Sequence, residues 1–572
     1  MSLIKFLVYN NLYNDFDKID PIQFINDIPT EKILFIFSRI NCILWSRESD
    51  IYIQNYLLKG FTNDFLPESK FYIENLFSKN PQYYNYNIFN NISTLLSEKF
   101  VVRNYSLNER VLDSNDMENI FKLILYFNQV YNEMIHVDID VEKKDFLSLS
   151  LALGFAQNGF IPSNQNHVNF LIKGYYFFKF LETNKIFKSH LQDYIESKGA
   201  PSYNFYLSHI INILIRYSNP DKQKIPDIEY ELIVEPELDM VIQFINNMSI
   251  HNQKHLFSSE KIEKSNVSDE DFDFKLFRNF PFYKKENNKF YFFSLNFLAD
   301  KLSMNLKFDF KNFIDNKSDV KGKPTDMLSY LSKEFTEKYL FRKILNSILN
   351  NKNMFLKEGK DESDNTAEYG DYYARAGNKV LLFECKDSII KSEIKYSYES
   401  SKIKSLLLEK FSSKKAGLIQ YLNTIENITK DSIKFDNYVI NNKDKLKIYP
   451  ILIYTDIILE SNGVNYYINN EFNTLKSKYD FPFQVNNLVM INLDFLIKFK
   501  NIFEKNLTKF LEIVYLFSHE LRKEIIFEKF DPSEMYPTIE EKLQFYFKEE
   551  INNIEHIKDK ELEKILEEIR SY

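Results

Sequence analysis

Asp371, Glu384 and Lys386 stand close together in the stretch YGDYYARAGNKVLLFECKD, Tyr369 to Asp387. Side chains alternate along a strand, so Glu384 and Lys386 share one face of KVLLFEC and Cys385 takes the other. YGDYYAR and KVLLFEC form a hairpin about Ala376-Gly377-Asn378, which lets Asp371 reach the same strand end. Two carboxylates and an ammonium then converge at the edge of a sheet. VLLF is a continuous apolar run of the kind a central strand covered on both faces needs. Burying such charges without partners costs several kcal/mol, and a divalent cation removes that penalty. Carboxylate oxygens suit Mg²⁺, which keeps part of its water shell, with Mn²⁺ as a substitute. The ion would lower the pKa of bound water and neutralise phosphate charge, while Lys386 positions the water or stabilises pentavalent phosphorus. The chemistry within reach is metal-assisted phosphodiester hydrolysis.

The elements needed to hold these residues can be read on either side. SYLSKEFTEKYLFRKILNSIL (329–349) predicts an amphipathic helix with Phe335, Tyr339, Leu340 and Ile344 as its apolar stripe and Glu337 beside it. KKAGLIQYLNTIENI (414–428) predicts another helix, and KIYPILIYTDIIL (447–459) a buried strand. Six of the 11 glycines fall between Gly322 and Gly463, which marks the region of tight turns between strands.

The ordered set resembles the PD-(D/E)XK nuclease superfamily, in which a helix, a three-strand meander, a second helix and a fourth strand form the core. Acid-x-Lys triplets recur along this chain, but the one at Glu384 follows four apolar residues and a Gly-Asp hairpin arm. Gly370-Asp371 stands where the family usually has Pro-Asp. The resemblance implies that Asp371 and Glu384 hold Mg²⁺, with the Cys385 carbonyl as a third ligand, and that Lys386 assists the attacking water. Gln420 would orient the water or Lys386. Glu337 would add a further acid from the first helix, with Glu334 as the alternative.

The implied architecture is α+β and multi-domain: a restriction-endonuclease-like core of mixed sheet and helices between helical flanks. Its boundaries are 1–257, a mainly helical region; 258–324, linker and hairpin; 325–465, the nuclease-like domain; and 466–572, a helical C-terminal region. TEKILFIFSRINCILW and NFLIKGYYFFKFLE typify the first, and NFPFYKKENNKFYFFSLNFL predicts the hairpin of the second. SEKIEKSNVSDEDFDFKLF (259–277) and Asp309 to Pro324 read as linkers.

With 572 residues and 44% hydrophobic composition, the chain can build more than one core. Its two cysteines, Cys42 and Cys385, exclude a disulfide framework and fit a reducing cytoplasm. No membrane span is expected. A net charge of −8 requires any nucleic-acid contact to use a local basic surface, and 402–447 carries ten Lys against five acids. Tyr396 and Tyr398 are candidates for stacking on bases, with core packing an equal reading.

The function expected is Mg²⁺-dependent cleavage of nucleic acid, DNA favoured over RNA, with defence against phage or other foreign DNA as a setting. The helical flanks could take a protein partner or a second copy. The alternatives are a catalytically silent scaffold with the same fold, or an RNA-cleaving toxin. His136, Asp138 and Asp140 read as a polar edge rather than a metal site, and His251, His255 and His519 as surface or structural residues.

Overall fold

The computed structural model describes residues 6–44, 50–106, 108–134, 145–158, 167–218, 231–250, 274–350, 353–358, 370–395, 399–412, 417–429, 436, 438–439, 442–521, 535–546, 548 and 560–570. His136, Asp138, Asp140, His251, His255, Tyr396, Tyr398 and most of 259–277 lie outside them. The architecture is α+β with two mixed sheets.

From Tyr9 to Ser218 the named elements are helices, including α1 (His167–Thr183), as the apolar spacing predicts. A four-stranded sheet follows, in the order β1-β4-β3-β2: β1 Glu231–Ile233, β2 Ser249–Ile250, β3 Phe282–Glu286 and β4 Lys289–Phe292. β3 and β4 are the expected antiparallel hairpin. Its alternation serves two cores at once. Phe282, Phe290 and Phe292 face one that includes α1, while Tyr283 and Tyr291 join that of the N-terminal helices.

Asp309 to Pro324, expected as a linker, is helical as far as Asp315. It belongs to α2 (Met304–Asp315), which buries Leu306, Phe310 and Ile314. Those three apolar residues, spaced four apart, suffice for a buried stripe although polar residues surround them.

α3 runs without a break through Met327–Leu331, Ser332–Phe341 and Arg342–Leu349. Its middle ten residues are π-helical rather than the regular α-helix expected. Phe335 and Leu340, five apart and both buried, match that wider turn.

The second sheet has the order β10-β8-β7-β6-β5: β5 Phe355–Glu358, β6 Tyr372–Ala376, β7 Lys379–Lys386, β8 Lys447–Tyr454 and β10 Val489–Asn492, with β9 (Gln484–Val485) also on β8. β5, β6 and β7 are an antiparallel meander. β8 and β10 run parallel to β7. Two helices, α4 (Ser400–Phe411) and α5 (Leu418–Thr429), make the crossover from β7 to β8. The sheet therefore continues past 465 into the region expected to be helical. Absence of glycine after Gly463 misled that reading, because β9 and β10 follow one another along β8 in the same direction, joined through Asn486 and Asn487 without a glycine. Asn486 N–H donates to the Ile448 carbonyl at 2.9 Å and Asn487 Nδ2 to that of Ser518 at 2.9 Å.

β7 is buried on both faces, as VLLF predicts. Leu381, Phe383 and Cys385 face the α3 side, and Val380 and Leu382 face α4 and α5. The Tyr421 hydroxyl of α5 is inserted between β7 and β8: it donates to the Leu382 carbonyl and accepts from Ile451 N–H at 3.0 Å. Tyr421→Phe is expected to cost about 1–3 kcal/mol by leaving buried backbone groups unpaired, measurable by urea unfolding.

No helix among the described residues is long and apolar enough to cross a membrane.

Candidate active site

β6 begins at Tyr372, opposite Phe383, while β7 runs on to Lys386. Asp371 N–H donates to the Phe383 carbonyl at 3.0 Å, the last backbone bond of that edge. Two residues on, Cys385 N–H is met by a side chain instead: it donates to Asp371 Oδ2 at 2.7 Å. The Asp371 carboxylate is thereby pinned to the end of the central strand. A strand residue turns its N–H and C=O to the same side, so the Cys385 carbonyl lies on this edge too. Gly370 makes the approach possible. Its φ is +81°, and a Cβ there would sit 2.9 Å from the Phe383 carbonyl oxygen and 3.5 Å from Glu384 Oε2.

Glu384 is only 5% exposed. Lys386, two residues on and on the same face, places Nζ 2.7 Å from Glu384 Oε1. Burial works against the Lys386 ammonium, but Glu384 above all, then Asp371 and Glu337, hold its pKa above the ordinary value. Burial pushes the Cys385 thiol well up, with Asp371 and Glu337 adding to it. A thiolate nucleophile is therefore disfavoured, in agreement with the expectation that Cys385 is a core residue.

Glu337 reaches this cluster from the π-helical part of α3. Burial, then the Asp371 carboxylate, raise its pKa to about 8 from an ordinary 4.5, with Lys386 opposing. Glu334 points elsewhere and pairs with Lys338 at 2.8 Å. Of the two acids weighed from sequence, the electrostatics bring Glu337 to Asp371, Glu384 and Lys386.

A carboxyl that ionises at about 8 when folded and near 4.5 when unfolded takes stability away as pH rises between those values. Its contribution is complete below the lower value and lost above the upper one. Glu337→Gln should therefore match wild type at about pH 4 and exceed it by a few kcal/mol at about pH 9. Urea unfolding in EDTA at both pH values checks this.

Gln420 is half-buried on α5, and among the described residues no hydrogen bond joins it to the cluster. Its neighbour Tyr421 is the residue that enters the sheet. His519 is exposed near the end of α8 (Leu507–Glu520), whose predecessors in the chain are α6 (Val464–Lys476) and α7 (Leu493–Lys505).

Sequence reasoning missed Asp387. It follows Lys386 directly and its side chain is 2% exposed. Lys307 Nζ of α2 lies 2.7 Å from Asp387 Oδ2, Thr336 Oγ1 donates to the same oxygen at 2.7 Å, and Thr455 Oγ1 donates to Oδ1. Burial alone would raise the Asp387 pKa; Lys307, with the two hydroxyls, brings it down to about 2. Asp387 shares the alternation of Phe383 and Cys385, so an acid there is aimed at the core side, and that was the available signal.

Among the described residues no group of three or more His, Cys, Asp or Glu is placed to hold a metal ion. The oxygen donors gathered at this edge are the Asp371 and Glu384 carboxylates and the Cys385 carbonyl. Of the lysines of 402–447, Lys402 pairs with Glu399 at 2.7 Å and Lys404 with Asp145 at 3.5 Å, while 414, 415, 430 and 434 lie outside the described residues. No family model, curated protein or solved structure matches the chain.

Proposed function

We propose that the chain is a metal-dependent nuclease of the PD-(D/E)XK type, with a restriction-endonuclease-like core from α3 to β8 and DNA favoured over RNA. One observation carries the reading: the Asp371 carboxylate is fixed by Cys385 N–H at the strand end where Lys386 is paired with Glu384. Antiparallel β5, β6 and β7, followed by a helical crossover to parallel β8, support it as the order of elements that the motif requires.

The donor set fits Mg²⁺, which needs only one or two carboxylates and keeps several waters. Gly370 supports the fit, since a side chain there would intrude beside Glu384 Oε2. Asp371, Glu384 and the Cys385 carbonyl would hold the ion, which when bound activates water and offsets phosphate charge. The chain's own residues do the rest. Lys386 keeps its proton and offers a fixed positive charge to the phosphate. Burial and the Asp371 carboxylate push the Glu337 carboxyl up to about 8 in the absence of the ion, so it would present a proton at the same edge, where a leaving alkoxide needs one.

The experiment is incubation of the purified chain with plasmid, linear duplex, single-stranded DNA and RNA, in Mg²⁺, Mn²⁺ or EDTA, beside Asp371→Asn. Metal-dependent cleavage of DNA, lost in the variant, is the expected result. Cleavage of RNA alone would favour the RNA-cleaving alternative. Survival of every substrate, with no metal binding that depends on Asp371, would leave a silent scaffold.

A further inference from the structure

The helix Pro67–Lys79 has two apolar faces. Ile73 and Phe77 are buried and pack inward. The opposite face carries Glu68, Phe71, Tyr72, Asn75 and Lys79, three and four residues apart and all exposed. Phe71 is 69% exposed and Tyr72 46%. Scattered apolar residues on a surface need no explanation, whereas neighbouring rings on one helix face do. They stand in the part of the chain richest in such residues: of the 14 large apolar side chains exposed among the described residues, six lie between Ile51 and Tyr84. The face is also held in place. The Tyr72 hydroxyl donates to the Leu12 carbonyl at 2.7 Å, and Tyr83 and Tyr84 meet the buried Phe77 edge-on. Docking on it therefore costs little ordering.

The charges on this face indicate what covers it. Glu68 lies in the first turn and Lys79 in the last, one on each side of the rings. Neither makes an ion pair among the described residues. A nucleic-acid strand or an anionic membrane calls for an excess of cations, and the stripe has one charge of each sign. Turned end for end, the stripe matches itself. A two-fold axis through the middle of the helix, between Ile73 and Glu74, sets Glu68 of each copy opposite Lys79 of the other. The same axis sets Tyr72 opposite Asn75 and keeps both Phe71 rings near the centre, where apolar contacts are best shielded from water. A parallel arrangement would instead set Glu68 against Glu68 and Lys79 against Lys79.

We propose that this face pairs with the same face of a second copy of the chain, the two helices antiparallel about a two-fold axis. The rings supply the contact and the terminal charges set its direction. The proposal does not depend on the nuclease reading, since association is measured without cleavage. A helix of 13 residues is about 20 Å long. One helix pair buries less than a standard interface, so a dissociation constant of about 10–100 μM is expected.

The test is sedimentation velocity of the full chain over about 1–300 μM, where a monomer–dimer equilibrium is expected. Phe71→Asp puts two carboxylates beside the axis and should leave a monomer. Its Tm should be unchanged, because the ring is not part of the core. Glu68→Lys and Lys79→Glu should each weaken the dimer about tenfold, since each turns two opposite-charge contacts into like-charge ones. Glu68→Lys/Lys79→Glu should return to within about twofold of wild type, a recovery that antiparallel self-pairing gives and a parallel pair does not. A wild type that stays monomeric, a dimer that Phe71→Asp leaves intact, or a double reversal no tighter than the single ones would overturn the proposal. So would a monomer that binds single-stranded DNA or anionic vesicles and loses that binding in Phe71→Asp, which would give the face to another occupant.

Discussion

If the chain is the proposed nuclease, Lys386→Met is expected to lower the rate of metal-dependent DNA cleavage by on the order of a thousandfold and to leave divalent-cation binding intact or tighter. The split follows from the charges. Lys386 is the cation that neutralises Glu384 at 2.7 Å and, through space, Asp371. Methionine keeps the length of the side chain and removes its charge, so two carboxylates are left to a metal without a competing ammonium. Metal affinity then rises while the positive charge offered to the phosphate is lost. Asp371→Asn gives the opposite pattern. Its amide oxygen can still accept from Cys385 N–H, so the strand end stays in place, but the negative charge that would attract the ion is gone. Mn²⁺ binding followed by electron paramagnetic resonance, beside cleavage rates, separates the two variants. Wild-type cleavage by Lys386→Met would rule out the proposed role of that residue. Loss of metal binding in Lys386→Met with an intact fold would rule out the electrostatic account.

The strand bearing these residues was legible because it obeys simple rules. Four apolar residues need two covered faces, and alternation puts Glu384 and Lys386 together with Cys385 opposite. The hairpin turn at Gly377 was legible for the same kind of reason: its φ is +59°. What stayed hidden depends on contacts distant in sequence. Nothing local says that a tyrosine hydroxyl is to bridge β7 and β8, so Gln420 drew attention and Tyr421 did not. The π-helical stretch of α3 was hidden in an amphipathic pattern that a regular helix also satisfies, and it is what carries both Thr336 and Glu337 to the strand end. Lys307 and Asp387 are 80 residues apart, and only the packing of α2 against the sheet brings them together. The helix that runs on into the stretch taken for a linker thus supplies, from just before it, the cation that holds the chain after Lys386.

That cation should dominate the stability of the site. In Lys307→Met the Asp387 carboxylate, 2% exposed, keeps only the Thr336 and Thr455 hydroxyls among the described residues. Breaking a buried pair from one side costs about 3–5 kcal/mol, well above the loss of a surface ion pair. The pH dependence gives the cause. Asp387 ionises at about 2 when folded against an ordinary 3.8, so its stabilising contribution is present above the upper value and disappears as pH falls from there to the lower one. In Lys307→Met that depression is lost. The gap between variant and wild type should then be largest at high pH and close as pH falls, starting above the ordinary 3.8, because the buried unpaired carboxyl takes up its proton at higher pH than a free one. Guanidinium unfolding at a series of pH values measures it. Lys307→Met/Asp387→Leu should recover most of the lost stability, because the penalty lies in the stranded charge rather than in the missing pair. Recovery of the fold without recovery of cleavage would show that Asp387 also positions Lys386. Recovery of both would make the pair a structural support alone. A double variant as unstable as Lys307→Met would mean that the lysine stem, packed over Phe335 with Nζ 5.5 Å from the ring centre, carries the stability instead of the charge.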